Sequence, residues 1–423
     1  MEYTLEDAQA RDNHDNLRDF AARFYRPNGA IYMDGNSLGL LSQDAEQAVL
    51  RVLNEWKTLG IDGWMHAEPG WLSLAETLSA ELAPLIGANA DEVLVTGSTT
   101  ANLHQLLATL YNPRAERTTI LADALNFPSD GYALESHVIG QGLDPQKSLV
   151  RVPSSNGLHL DEDAIIAAMT PDVQIAILPS VIYHSGQLLD VERLTRAAHE
   201  RGILIGWDCS HSIGAVPHAL TAWGADCAFW CSYKYLNGGC GSVGGLYLNR
   251  RHHKLMPGMA GWWGSRKDRQ FDMTKEFYPA DGAGRLQIGT PHLLSMAPLQ
   301  GSLKLFHQAG FKALRAKSLA LTTYLMELVE TELSEYGFAF ANPREPHRRG
   351  GHVALIHDEA ARICKALKAA GIVPDFRAPN IIRLTPAPLY NSFMDCWNTI
   401  AALLRIMDNQ HYADYPLRRE LVA

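Results

Sequence analysis

The sequence predicts an α/β protein with a large, mostly parallel sheet covered by helices and a smaller α+β lobe beside it. Three observations carry that reading. Short apolar runs alternate with helical patterns from about residue 90 to 250, long helical patterns dominate after about residue 295, and 47% of the 423 residues are hydrophobic against 20% charged. Alternating β and α segments build parallel sheets with helices on both faces. A chain of this length buries a sizeable core without disulfides or metals as staples.

Taken in order, the candidate strands are 92–96, 118–122, 148–152, 174–178, 203–207, 227–231 and 245–248. Most are continuous apolar runs rather than alternations, as expected of strands buried on both faces. Helical patterns lie between them at 99–111, 160–169 and 191–201, the last ending at Gly202, a residue suited to the left-handed turn after a helix. Upstream, 43–58 reads as an amphipathic helix with Ala45, Ala48, Val49, Val52, Leu53 and Trp56 on one face, Ser42 as N-cap and Gly60 past its end. Downstream, helices are expected over 302–335, broken near Gly310, and over 358–370 and 391–408. The expected organisation is a large domain over 60–295 and a small lobe built from 1–59 plus 296–423.

Composition excludes several classes of function. Lys and Arg number 37 against 46 Asp and Glu, a net charge of −9 with no basic run, so binding nucleic acid by neutralising phosphates is not expected. The N-terminus lacks the basic-then-apolar order of a signal peptide, and no apolar run approaches a membrane span. The six cysteines form no CxxC pair and no Cys/His spacing resembles a zinc site. Reduced thiols, no bound metal, no membrane partner and a cytoplasmic location are the expectations. The remaining histidines, His252 and His253 in a basic patch among them, are expected at the surface.

Chemistry concentrates between Ile205 and Gly245. Asp208 ends a hydrophobic strand, at the carboxyl edge where open α/β sheets place ligands. Lys234 follows a second such strand among Trp230, Tyr233 and Tyr235, and an amine beside apolar walls suits imine chemistry. A carboxylate upstream and a lysine downstream are the pair a pyridoxal-phosphate enzyme needs: the lysine holds the aldehyde as an imine, and the carboxylate keeps the pyridine nitrogen protonated. Singly, such an Asp is ordinarily a cap and such a Lys a solvated charge. The segment 96–102, TGSTTAN, follows a strand and opens a helix, which makes it either an anion site or a plain Ser/Thr cap. Phe127 offers a ring for stacking or for the core. Arg383 on an apolar strand requires an anionic partner, either a structural carboxylate or a substrate's.

These motifs together resemble the kynureninase family of pyridoxal-phosphate enzymes, which have the aspartate aminotransferase fold. The matching stretches are YMDGNSLGL (32–40), TANLH (100–104), FPSD (127–130), DCSH (208–211), WCSYKYLN (230–237), GWWG (261–264), GTP (289–291), and Arg383 followed by PLYNSF (388–393), in family order over most of the chain. The resemblance implies hydrolytic cleavage of L-kynurenine to anthranilate and L-alanine in tryptophan breakdown and NAD biosynthesis, with pyridoxal 5'-phosphate as cofactor. It implies Lys234 as the imine-forming lysine, Tyr233 as a candidate proton donor and Asp208 as partner of the pyridine nitrogen. Phe127, Pro128, Ser129, Asp130 and His211 match positions around the ring, and Thr99, Thr100, Ser180 and Tyr233 match positions largely at the phosphate end. Trp262 and Thr290 match positions given by a second subunit, which implies a homodimer with shared active sites. Arg383 and Ser37 match the clamp on the substrate carboxylate, and Trp64 and Gly289 border the aryl ring, where Gly289 gives an added hydroxyl no polar partner and implies weaker use of 3-hydroxykynurenine.

Rival readings are a cysteine desulfurase or an aminotransferase of the same fold, and a non-catalytic cofactor-binding regulator. No cysteine sits on an obvious mobile Gly/Ser-rich loop, although Cys240 stays open. No helix-turn-helix or basic domain is appended, and no G-x-G-x-x-G joins the first strand to its helix, which disfavours a nicotinamide enzyme.

Overall fold

The structure is a computed structural model that describes residues 4–114 and 116–418. Seven strands, β1 (Val93–Val95), β2 (Thr119–Asp123), β3 (Leu149–Val152), β4 (Val173–Pro179), β5 (Leu204–Asp208), β6 (Cys227–Cys231) and β7 (Gly244–Leu248), form one sheet in the order β1-β7-β6-β5-β4-β2-β3. Only β7 runs against its neighbours, and the other pairings are parallel. Each strand falls within a few residues of its expected place. β2, β6 and β7 are buried at every residue, which is why they read as unbroken apolar runs.

Alternate residues feed two cores, one on each face of the sheet. Val95, Leu121, Leu178, Trp207 and Trp230 belong to one, and Leu94, Ile120, Ile177, Phe229 and Leu246 to the other. A third core lies in the C-terminal region. There β8 (Ala339–Phe340), β9 (Val353–Ile356), β10 (Asp375–Arg377) and β11 (Ile381–Leu384) make an antiparallel sheet in the order β10-β11-β9-β8. Helices Phe311–Glu332, Ala360–Ala369 and Phe393–Asp408 cover it with Leu325, Ile363, Leu367, Ile400 and Leu403. The N-terminal segment straps onto this region: Asp12 accepts from the Phe393 and Met394 amides at 2.8 and 3.1 Å, and Asp15 pairs with buried Lys317 at 2.7 Å.

Two helices differ from expectation for identifiable reasons. A helix starts at Leu293 rather than at 302, with Pro298 inside it; Met296, Leu299, Leu303 and Phe306 pack into the large core and carry the helix past a residue that disfavours it. The boundary expected at 295/296 therefore falls within a helix that packs on the large sheet. Gly310, with φ +76°, ends that helix where a break was expected. Helix Pro128–Gly140 has no counterpart among the expected helices: Pro128 holds its first position, where a missing N–H costs nothing.

Helix Gln43–Leu59 is capped as expected, the Ser42 hydroxyl accepting from the Ala45 amide at 3.1 Å. Its apolar stripe is not fully covered, since Leu53 and Trp56 stay 41% and 61% exposed. His252 corrects an expectation. It is buried rather than at the surface, its Nε2 lying 2.7 Å from the fully buried Asp226, because that carboxylate needs a partner inside the fold.

Candidate active site

The carboxyl ends of the parallel strands build a cavity of about 190 Å³. Asp208 is the last residue of β5, and Lys234 follows the end of β6 by a short turn. The helix Thr99–Leu110 opens onto the cavity from one side and the helix at Pro128 from another. Thr99, Thr100, Phe127, Ser129, Asp130, Asp208, His211, Tyr233 and Lys234 all line it, so nine of the residues named from sequence meet in one place. Ser180 lies beneath the cavity, fully buried, its hydroxyl donating to the Asp208 carbonyl at 3.0 Å. Pro128 does not line the cavity, but it starts the helix that carries Ser129 and Asp130.

Local geometry fits an anionic group at one end. Thr100 Oγ1 and Ser129 Oγ are 2.5 Å apart, which brings two helix N-termini with their free amides together. Gly97 has φ +54°, and its carbonyl accepts from the Gly244 amide at 2.9 Å, so the turn before the helix closes against β7.

Lysine chemistry is set by its neighbours. Lys234 Nζ is 2.9 Å from His211 Nε2, and it sits 5.8 Å from the centre of the Phe127 ring. Burial, then the charge of Lys234, hold His211 well below the usual histidine range. Burial and the neighbouring Asp208 carboxylate push Asp130 well up, and burial raises the Tyr233 phenol. Behind them the Asp123 carboxyl, at the end of β2, is raised by burial to about 7. The fit to a bound polar group is visible in what stays unpaired: among the described residues, Asp130 Oδ2, Ser210 Oγ, His211 Nδ1 and Ser242 Oγ are buried around this cavity without a protein partner.

Arg383 lies just beyond. It is 1% exposed on β11, ion-paired to the fully buried Asp375, with Nη1 donating to the Tyr183 carbonyl at 2.7 Å and Nη2 to the Ser37 hydroxyl at 3.3 Å. Asn36 packs on the same guanidinium, its amide oxygen 3.0 Å from Nε in the orientation that satisfies both groups. Tyr183 joins this cluster to the cavity, its ring 5.5 Å from that of Phe127 and 6.2 Å from that of His211. Of the two alternatives for Arg383 the structural carboxylate is present, and the guanidinium is joined to the cavity through Tyr183.

Four named residues lie elsewhere on the chain. Trp64 and Thr290 line a separate apolar cleft with Trp56 and Ile61. Trp262 is 46% exposed, its indole N–H donating to the Gln270 carbonyl at 3.0 Å, and Gly289 faces open space. Sequence reasoning gave no task to Tyr183, Asn36 or Ser210 and did not single out Asp375 or Ser242, whereas Ser98 lay within the candidate anion segment 96–102. For Asp375 a signal existed: a buried arginine on a strand requires a carboxylate on a neighbouring one.

The fold is that of the pyridoxal-phosphate-dependent fold type I enzymes. It superposes on the cysteine desulfurase CsdA of Escherichia coli with TM-score 0.77 at 17% identity, covering 93% of this chain and 99% of that one. The cystine C-S lyase C-DES, solved with its product cysteine persulfide, gives TM-score 0.77 at 17% identity over 89% and 97%. The sequence narrows the class. It is 55% identical over 423 residues to the kynureninase of Geobacillus thermodenitrificans, covering 100% of this chain and 99% of that one. It is 54% identical over 420 residues to the kynureninase of Bacillus anthracis, covering 99% and 98%. A family model described as the kynureninase C-terminal domain matches residues 314–403. The chain belongs to the kynureninase family.

Proposed function

We propose that this chain hydrolyses the Cβ–Cγ bond of L-kynurenine to anthranilate and L-alanine, with weaker action on 3-hydroxykynurenine, in tryptophan catabolism and NAD biosynthesis. The observation that carries the reading is Lys234 beside His211 in a cavity that also holds Asp208, with Arg383 joined to it through Tyr183. Pyridoxal 5'-phosphate, when bound, supplies the electron sink that lets bonds at the substrate's Cα and Cβ break. Its phosphate suits the paired helix N-termini at Thr99, Thr100 and Ser129. Asp208 suits the pyridine nitrogen, Asp130 and His211 the ring's polar edge, and Phe127 the ring face.

The chain's own residues then divide the work. Lys234 would hold the cofactor's aldehyde until a substrate amine takes its place, and it is placed to move the proton at Cα. Tyr233, a phenol kept protonated by burial, suits proton donation to Cβ as the bond to the aryl ketone breaks. Arg383 and Ser37 orient the α-carboxylate. One water adds to the γ carbonyl, and its oxygen leaves in anthranilate.

Substrate choice and assembly belong to the same reading. Trp64 is suited to stack on the aryl ring, and Gly289 offers no side chain to a 3-hydroxyl, so discrimination rests on lost contacts rather than on a dedicated partner. Trp56, Ile61, Met65 and Trp262 are 61%, 78%, 68% and 46% exposed, an apolar surface that supports a homodimer whose second subunit lends Trp262 and Thr290. A cytoplasmic location is part of the proposal, in keeping with the absence, among the described residues, of any helix long and apolar enough to cross a membrane. Residues 60–295 serve as the cofactor-binding unit, extended to Gly310 by the helix that packs on it.

The test is product analysis of the cofactor-loaded protein given L-kynurenine. Anthranilate and alanine in equal amounts are expected. Other products, or none, contradict the reading.

A further inference from the structure

Arg383 has little left to give a substrate. A guanidinium carries five N–H donors. Here Nε and Nη2 face Asp375, Nη1 donates to the Tyr183 carbonyl, and Nη2 also reaches the Ser37 hydroxyl. A carboxylate held in the two-pronged manner needs two donors.

A second arginine stands beside it. In the β10–β11 ladder Asp375 lies directly opposite Arg383, and Arg377 comes two residues after Asp375 on the same strand. Side chains alternate along a strand, so Asp375, Arg377 and Arg383 share one face of the small sheet. Arg377 Nη2 lies 3.3 Å from Ser37 Oγ, the distance at which Arg383 meets the same hydroxyl, and 3.3 Å from Asp375 Oδ1. The Arg377 side chain is 34% exposed where Arg383 is 1%, which leaves it able to meet a ligand. Tyr183, His184 and His211, which face this sheet from the other lobe, each feel the charges of both arginines.

Two guanidiniums and two carboxyls meet at this cluster. Two guanidiniums share Asp375, and the other nearby acid is Asp34, whose carboxyl is raised to about 6 by burial and by Asp375.

We propose that Arg377 is a second carboxylate-binding cation of the substrate site, acting with Arg383 across Ser37. The inference rests on the proposed reading of Arg383 and Ser37 as the carboxylate clamp. It assigns Arg377 direct contact with the amino acid's carboxylate, with Asp375 as the group that holds both arginines in place.

The test uses cofactor-loaded protein titrated with L-alanine and, separately, L-alaninamide, followed by the change in the cofactor's absorbance. In Arg377→Met the dissociation constant for L-alanine is expected to rise by about tenfold or more, the loss of a charged hydrogen bond, while that for L-alaninamide moves by less than about twofold. Arg377→Lys, which keeps the charge, is expected to retain most of the L-alanine affinity. Unchanged L-alanine affinity in the methionine variant, or equal weakening of both ligands, overturns the proposal and leaves Arg377 as a scaffold for Asp375. A wild-type protein that does not favour the carboxylate over the amide removes the clamp reading itself, and Arg377's role with it.

Discussion

Lys234 Nζ and His211 Nε2 lie 2.9 Å apart, and the imidazole is only 6% exposed. Burial and the lysine's charge keep that ring neutral, so it accepts from the lysine rather than repelling it. The contact sets the lysine's position at the cavity without a second cation beside it.

Lys234→Ala is therefore expected to lose both turnover, by more than about a thousandfold, and the covalent cofactor band, whereas His211→Gln keeps the band and loses about ten- to a hundredfold in kcat. Absorbance spectra and steady-state rates on the two variants separate the cases. Wild-type turnover in Lys234→Ala removes the lysine from the mechanism.

Arg383→Met breaks a buried ion pair as well as a substrate contact. It is expected to lower thermal stability, by about 3 kcal/mol or more, and to cut kcat/KM for L-kynurenine by about a hundredfold, chiefly through KM. Calorimetry and kinetics on the same preparation check both. A variant as stable and active as wild type contradicts the role given to the Arg383–Asp375 pair.

Asp123 gives a pH-dependent stability effect of defined sign. Its folded-state pKa, about 7, lies above the unfolded value, so the folded protein takes up its proton first. Its ionised form costs stability at pH 8, and that cost is relieved as the pH falls through 7 toward the carboxylate range. Asp123→Asn keeps the acceptor for the Leu125 amide and lacks the charge. Relative to wild type, its stability is expected to be about 2 kcal/mol better at pH 8 than at pH 5.5. Denaturant unfolding of cofactor-free protein at the two pH values measures the difference, and equal offsets contradict it.

Ile61→Glu and Trp262→Glu each place a charge on the exposed apolar surface. Sedimentation is expected to show monomers where wild type gives dimers, with kcat falling in step as the shared residues are lost. A dimer that survives both substitutions locates the interface elsewhere.

Much of the fold was legible because fully buried strands must be apolar throughout, and β2, β6 and β7 are. The cavity was legible in part for a related reason. Asp208, Lys234 and the Thr99 helix start all sit at strand ends, where polar residues interrupt hydrophobic runs. What was hidden depends on tertiary packing. Tyr183 gains its place only when the loop after β4 meets Phe127 and Arg383, and Asp375 only when β10 pairs with β11. Pro128 and Pro298 each masked a helix that packing or position allows. Trp64, Trp262, Gly289 and Thr290 lie outside the Lys234 cavity of a single chain, so no pattern within one chain brings them to it.

Kynurenine hydrolysis is tested in a single cuvette on the purified, cofactor-loaded protein. Its spectrum is recorded, L-kynurenine is added, and anthranilate fluorescence is followed over many turnovers. A lysine-bound cofactor band that responds to kynurenine, together with steady anthranilate release, is expected. A band that shifts without any anthranilate, or no band after added pyridoxal phosphate, would contradict it.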